Sequence, residues 1–260
     1  MQKVKPLKRF GQNYLKDQNI LNKIVEVINP KEDDLILEIG PGQGALTKLL
    51  LDKVSSIKAV EIDKRVADEL REKFTNLELI TDGFMNLNLN EIAGNKKLRV
   101  VGNIPYNITS PIIFKLIKNH NIINDTVLMV QHEVAKRMNG RKGTKDYGIL
   151  SLILEHFTRV EYCFKVSPKV FYPRPKVDSA VVHIVFRELN TPENVNKMLI
   201  KIIKASFGNR RKTLKNSLSN SIFKDLSFAN CGIDLTLRAE QLDLADFIKL
   251  AEFALENQKN

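Results

Sequence analysis

The sequence predicts an α/β protein: a doubly wound, mostly parallel sheet with helices on both faces, followed by a small all-helical region. Three observations carry this expectation. Short apolar runs alternate with amphipathic helical stretches between Leu35 and Met138. A glycine-rich turn, Gly40-Pro41-Gly42-Gln43-Gly44, follows the first of those runs. After Leu189-Asn190-Thr191-Pro192 the pattern becomes purely helical. Alternating β and α segments bury a parallel sheet between helical layers.

The elements follow in order. Asp17 caps a helix whose apolar residues Ile20, Leu21, Ile24, Val25 and Ile28 keep the helical period, and Asn29-Pro30 stops it. Buried strands are expected at 35–39, 57–61, 77–80, 98–102 and 126–131, with helices at 44–51, 64–74, 111–118 and 133–138. Ser179 to Arg187 breaks the alternation. It is expected as a terminal strand at the end of the sheet, antiparallel to Thr158–Val166. The change near residue 190 divides the chain into a domain over 1–189, with an N-terminal arm and helix over 1–30, and a helical domain over 190–260.

Composition narrows the function. With 43% apolar and 27% charged residues, the 260-residue chain can bury a sizeable core and does not read as disordered. Its 41 Lys and Arg against 30 Asp and Glu leave a formal charge of +11, which suits a polyanionic partner. The basic N-terminus is followed by no apolar segment of the signal-peptide kind. No run approaches the roughly 18 apolar residues of a membrane span. Cys163 and Cys231 form no framework, which fits a reducing cytoplasm. The four histidines show no ligand spacing, so no metal is expected.

A strand, a glycine-rich turn and a helix in succession place a ligand at the carboxyl ends of the strands. Gly40 and Gly42 let the backbone approach it. Glu61, about 20 residues on, suits a pair of ribose hydroxyls. Asp82 ends the third predicted strand, within reach of an adenine amino group. Gly40, Gly42 and Ala45 also fit a loose dinucleotide fingerprint. These features alone therefore leave NAD and S-adenosylmethionine open, with the tight turn tilting toward the latter.

The fourth predicted strand ends in Asn103-Ile104-Pro105-Tyr106. An exocyclic adenine amino group is a weak nucleophile, because its lone pair is delocalised into the ring. An Asn side-chain oxygen and the Ile104 carbonyl can accept its two N–H groups and favour the pyramidal nitrogen that attack requires. Pro105 fixes where the Ile104 carbonyl points, and Tyr106 offers a stacking face. The alternative is an ordinary β-to-α turn, since these residues are common in loops.

Asn103-Ile104-Pro105-Tyr106 resembles the catalytic motif of the ribosomal RNA adenine N6,N6-dimethyltransferases, and the resemblance covers nearly the whole chain. It implies a Rossmann-like class I methyltransferase sheet and S-adenosylmethionine as cofactor. Phe10-Gly11-Gln12-Asn13-Tyr14-Leu15 resembles the N-terminal cofactor motif of the family. By that likeness Asn13 and Leu15 contact the cofactor, Gly40 takes its methionine end, Glu61 the ribose and Asp82 the adenine, while Asn103 bridges cofactor and target. Phe171-Tyr172-Pro173-Arg174-Pro175-Lys176-Val177-Asp178-Ser179-Ala180 resembles the late substrate motif, which implies that Phe171 packs against a flipped base. Gly40-Pro41-Gly42, Tyr147-Gly148 and Lys176–Ala180 are similar to the small-subunit branch (KsgA type) rather than the large-subunit resistance branch (Erm type). Segments 207–214, 232–234 and 238–240 resemble the same branch. Ile104, Gly83 and Tyr14 are small departures from the commonest residues of the family.

Cations cluster outside this site. Lys197, Lys201, Lys204, Arg210, Arg211, Lys212 and Lys215 lie in a stretch without an acidic residue, and Arg137, Arg141, Lys142 and Lys145 form a second group. Either set suits RNA phosphates, or else a solvated face. Lys3, Lys5, Lys8 and Arg9 are expected to form an arm over the cofactor. The expected partner is small-subunit ribosomal RNA or an immature small subunit, with a target adenine flipped out of a hairpin loop, and the protein is expected to be a monomer.

Overall fold

A computed structural model describes residues 4–7 and 10–257. In chain order its elements are β1 (Tyr14–Leu15), α1 (Gln18–Ile28), β2 (Leu35–Ile39), α2 (Ala45–Leu51), β3 (Ile57–Val60), α3 (Lys64–Lys73), β4 (Leu77–Ile80), α4 (Leu89–Ala93), β5 (Leu98–Asn103), α5 (Thr109–Lys118), β6 (Ile123–Gln131), α6 (His132–Met138), α7 (Ile149–Phe157), β7 (Thr158–Val166), β8 (Phe171–Tyr172), β9 (Ser179–Phe186), α8 (Glu193–Ser206), α9 (Leu214–Ser219) and α10 (Leu244–Asn257).

The seven-stranded sheet has the order β4-β3-β2-β5-β6-β9-β7. Strands β2 to β6 pair in parallel, and β9 runs antiparallel to β6. Ser179–Phe186 is thus the penultimate strand, not the terminal one expected, and β7 takes the edge. Burial explains the exchange. β9 is buried along most of its length and needs a neighbour on each side, whereas β7 alternates with exposed residues. The chain's direction of travel across the sheet reverses between β2 and β5, so the cleft of a doubly wound sheet falls at their carboxyl ends. At this junction the chains pack closely: a Cβ on Gly102 would lie 2.5 Å from the Ile39 carbonyl oxygen.

The first helix forms as its sequence requires. Asp17 accepts from the Ile20 amide, Asn29 closes the helix in the left-handed conformation, and Leu21, Ile24 and Ile28 are buried. An ion network fixes its end to the sheet. Arg99 of β5 donates from Nε and Nη2 to both Asp125 oxygens, from Nη1 to Asp34 and from Nη2 to the Ile28 carbonyl. His183 adds a 2.8 Å contact to Asp125. Burial alone would raise the Asp125 carboxyl, but hydrogen bonds and charge from Arg99 and His183 hold it below its ordinary value.

The chain forms two compact units: residues up to Ala135 with Arg159–Phe186, and Lys136–Thr158 with residues from Arg187 onward. The linear division at 189/190 therefore differs from the contacts over Lys136–Thr158. The reason lies in α7, whose buried residues Leu152, Ile153, Leu154 and Phe157 belong to the core of the second unit. There His156 contacts Asn196 Oδ1 at 2.7 Å and the Tyr147 hydroxyl donates to the Leu242 carbonyl at 2.9 Å. Among the described residues no helix is long and apolar enough to cross a membrane.

Removing Arg99 would strand two carboxylates, one of them buried. Arg99→Met is expected to lower the unfolding free energy by about 3–5 kcal/mol. Urea unfolding at neutral pH checks this, and Asp125→Asn in the same chain should restore part of the loss.

Candidate active site

The residues expected to bind a cofactor converge at the carboxyl ends of β2, β3, β4 and β5. They line one cleft enclosing about 1190 Å³, its open mouth included. Asn13, Leu15, Gly40, Gly42, Glu61, Asp82, Asn103, Ile104, Pro105 and Tyr106 all contribute to its walls.

The floor is the glycine-rich turn. Gly40, Gly42 and Gly44 all take positive φ, and a Cβ on Gly42 would lie 2.8 Å from the Tyr14 ring. The Tyr14 hydroxyl is buried and has no hydrogen-bond partner among the described residues. Burial first, then the carboxylates of Glu61 and Asp63, push its pKa up to about 12.

Two buried carboxyls stand behind this turn. Glu61, 4% exposed, accepts from the amides of Gly42 and Asp63. Burial raises its pKa, and those two bonds oppose the rise. Glu38 of β2 accepts from the Thr47 hydroxyl at 2.7 Å, and burial raises it to about 7. Asp82 differs: it is exposed, accepts from Asn86 Nδ2 and the Gly83 amide, and is held below its ordinary value by those bonds.

The segment before β1 straps across these strand ends. Gln12 donates to Asp63 and accepts from the Leu7 amide, and the Val4 amide donates to Glu69. Lys5 contributes its carbonyl to Arg65, while Lys3, Lys8 and Arg9 lie outside the described residues. Asn103 Nδ2 donates to the Asn13 carbonyl at 2.7 Å. With its amide nitrogen held there, Asn103 has Oδ1 as its acceptor. The Tyr106 hydroxyl meets Ser179 Oγ at 2.6 Å, which fixes the ring against the start of β9.

Phe171 is placed differently from the expectation. It is 3% exposed, belongs to the hydrophobic core and pairs with Leu15 across the β1–β8 ribbon, so it does not line the cleft. The ribbon turns Leu15 and Phe171 to one face, leaving Tyr14 and Tyr172 on the other. Of the predicted RNA-binding cations, Arg137, Arg141, Lys142, Lys204, Arg211, Lys212 and Lys215 are exposed. Arg210 is also exposed, yet it donates to the carbonyls of Tyr147 and Lys145 and so braces its own unit.

A family profile described as ribosomal RNA adenine dimethylase matches residues 4–256. The chain belongs to the ribosomal RNA adenine dimethylase family. A ribosomal RNA small subunit methyltransferase A from Chlorobium phaeobacteroides is 45% identical over 243 residues, 94% of this chain and 91% of that protein. One of the same description from Pseudomonas syringae is 42% identical over 250 residues, covering 94% of this chain and 93% of that protein. Among solved structures, a dimethyladenosine transferase from Plasmodium falciparum superposes with a TM-score of 0.77 at 28% identity, covering 93% of this chain and 97% of that one. The 23S rRNA methyltransferase ErmE gives 0.68 at 26% identity, covering 92% and 98%.

Membership in this family makes S-adenosylmethionine the methyl donor, and the cleft suits that molecule. Gly42 and the Tyr14 ring form a cradle that a Cβ would fill. Glu61 and Asp82 supply acceptors for hydroxyl and amino donors, and no Cβ projects from Gly40. Sequence reasoning passed over Tyr14, Gln12, Glu38, Asp63 and Ser179. Tyr14, Gln12 and Ser179 sat in plain view inside motifs, but their partners lie many residues away.

Gly42→Ala combines a left-handed backbone, costing about 1–2 kcal/mol, with the Tyr14 clash. It is expected to weaken S-adenosylmethionine binding about tenfold or more by calorimetry. Glu38 gives a pH signature. Its carboxyl ionises near 4.5 when unfolded and about 7 when folded. Between those values only the folded state holds the proton, so stability falls as pH rises through that window. Glu61, also raised, acts in the same sense. Glu38→Gln, which keeps an acceptor for Thr47, is expected to flatten that fall in urea titrations between pH 4.5 and 7.

Proposed function

We propose that the protein transfers two methyl groups from S-adenosylmethionine to the N6 of each of two adjacent adenosines, in a hairpin near the 3′ end of small-subunit ribosomal RNA. The observation that carries this reading is the Asn103 side chain. It is locked to the Asn13 carbonyl at the cleft and leaves one acceptor for an adenine amino group.

S-adenosylmethionine supplies an electrophilic methyl on a sulfonium centre. The chain supplies position. Asn103 Oδ1 and the Ile104 carbonyl accept the two N–H groups of the target amine, drawing its lone pair out of conjugation. Pro105 lacks an N–H and holds that carbonyl in place. Tyr106, braced on Ser179, offers its ring to the base. Asn103 is not a base, so the proton leaves to solvent after transfer. Catalysis rests on orientation and local electrostatics. Asn13, Leu15 and Gly40 border the methionine end, Glu61 the ribose and Asp82 the adenine.

Relatives named for the small subunit support that substrate, as do Gly40-Pro41-Gly42, Tyr147-Gly148 and Lys176–Ala180. The exposed cations Arg137, Arg141, Lys142, Lys204, Arg211, Lys212 and Lys215 suit RNA phosphates or an immature subunit. Such a substrate supports a cytoplasmic location. Modification of large-subunit RNA is the rival reading, favoured by the likeness to ErmE at lower identity.

Labelled methyl transfer to unmethylated small subunits, with nucleoside chromatography, tests the proposal. N6,N6-dimethyladenosine is the expected product, and label in large-subunit RNA instead would move the protein to the resistance activity. Asn103→Ala should cut kcat by about 10²–10³-fold while S-adenosylmethionine still binds. Undiminished transfer by that variant would overturn the mechanism.

A further inference from the structure

Burial of Phe171 leaves the late motif with a different aromatic at the surface. Tyr172 is 56% exposed, and Lys16 Nζ lies 4.2 Å from the centre of its ring. Tyr172 belongs to the β1–β8 ribbon, and Lys16 directly follows β1. Tyr172 pairs with Tyr14, and the Lys16 amide donates to the Val170 carbonyl at 3.0 Å. Asn13, whose carbonyl holds Asn103, directly precedes β1. Three residues of extended chain, about 10 Å, thus separate the anchor of the catalytic amide from the cation on the ring. The chain continues from Tyr172 into Pro173-Arg174-Pro175-Lys176, where both cations are exposed.

An exposed tyrosine ring alone is unremarkable. Here it is held at a fixed register on a ribbon tied to the reacting end of β5. A lysine sits against its face, and the exposed cations Arg174 and Lys176 follow it in sequence, ahead of Asp178. Aromatic faces interleaved with cations bind single-stranded nucleic acid: the ring stacks a base and the cations meet the backbone. A folded protein partner would more commonly be met by a contiguous apolar patch, whereas here the exposed Val177 is single and stands between Lys176 and Asp178.

We infer that Tyr172 and Lys16 form a second base-binding platform outside the cleft, which stacks the nucleotide next to the adenosine held at Asn103. The inference rests on the RNA substrate proposed above. It assigns the platform to RNA affinity and register, with no part in the methyl transfer itself.

The test uses the full chain with a hairpin RNA carrying 2-aminopurine beside the target adenosine. Stacking quenches this adenine analogue, so binding is read without turnover. Wild type and Tyr172→Phe should quench alike, whereas Tyr172→Ala should lose the quench. KM for RNA should rise roughly 5- to 100-fold in Tyr172→Ala, the factor one base–aromatic stack carries, with KM for S-adenosylmethionine and the urea midpoint unchanged. Lys16→Gln should weaken RNA binding less and reduce its salt dependence. Equal quenching by Tyr172→Ala and wild type would overturn the platform. So would an equal loss of cofactor affinity in Tyr172→Ala, since Tyr172 would then only support Tyr14. If wild type methylates no RNA yet shows a Tyr172-dependent quench, the substrate reading fails and the platform stands.

Discussion

One hydrogen bond organises the reacting end of this molecule: Asn103 Nδ2 to the Asn13 carbonyl, 90 residues apart in sequence. It joins the end of β5 to a strap that crosses β2 and β3. It fixes the side-chain amide and so decides which atom faces the cleft. The strap is held in turn by Gln12 on Asp63 and by the β1–β8 ribbon. The bond forms only because β5 and β2 lie side by side at the point where strand order reverses, which Gly102 permits by bringing the two backbones together.

The same strand ends concentrate negative charge away from water. Glu38 and Glu61 are both 4% exposed or less and both raised by burial, yet each keeps hydrogen-bond donors. A buried carboxyl so held lowers stability at neutral pH and keeps an acceptor rigid within the cleft. Glu61 shows what that rigidity secures. Its two oxygens tie the Gly42 amide to the Asp63 amide, so the glycine-rich turn and the loop after β3 move as one.

Much of this was legible in the sequence because periodicity and turn chemistry are local. Asp17 and Asn29 bound α1, and β2 and β4 match the expected ranges, since each is an apolar run between clear breakers. Gly40, Glu61, Asp82 and Asn103 were also legible, as each stands at or just after the end of an expected strand, whereas Asn13 and Leu15 came from the family likeness alone. Strand position and pairing were not. Neither the edge position of β7 nor the two-residue ribbon of β1 with β8 has a periodic signal, because both depend on distant segments. Phe171 and Tyr172 show the limit most sharply. Both are aromatic and adjacent in one motif. Only the ribbon's register decides which enters the core and which reaches the surface.

That register also separates two kinds of work within one motif. Leu15 and Phe171 anchor the ribbon in the core, which sets Tyr14, buried against Gly42, and the exposed Tyr172 on its other face. Tyr14 closes on Gly42 at the floor of the cleft, while Ser179, at the motif's far end, braces Tyr106 at its rim. In the proposed reaction the key side chain is an amide, which cannot abstract a proton and acts by holding the substrate in one geometry. The ribbon, the strap and β9 reach Asn103 and Tyr106 from different parts of the chain, and each fixes one coordinate of that geometry.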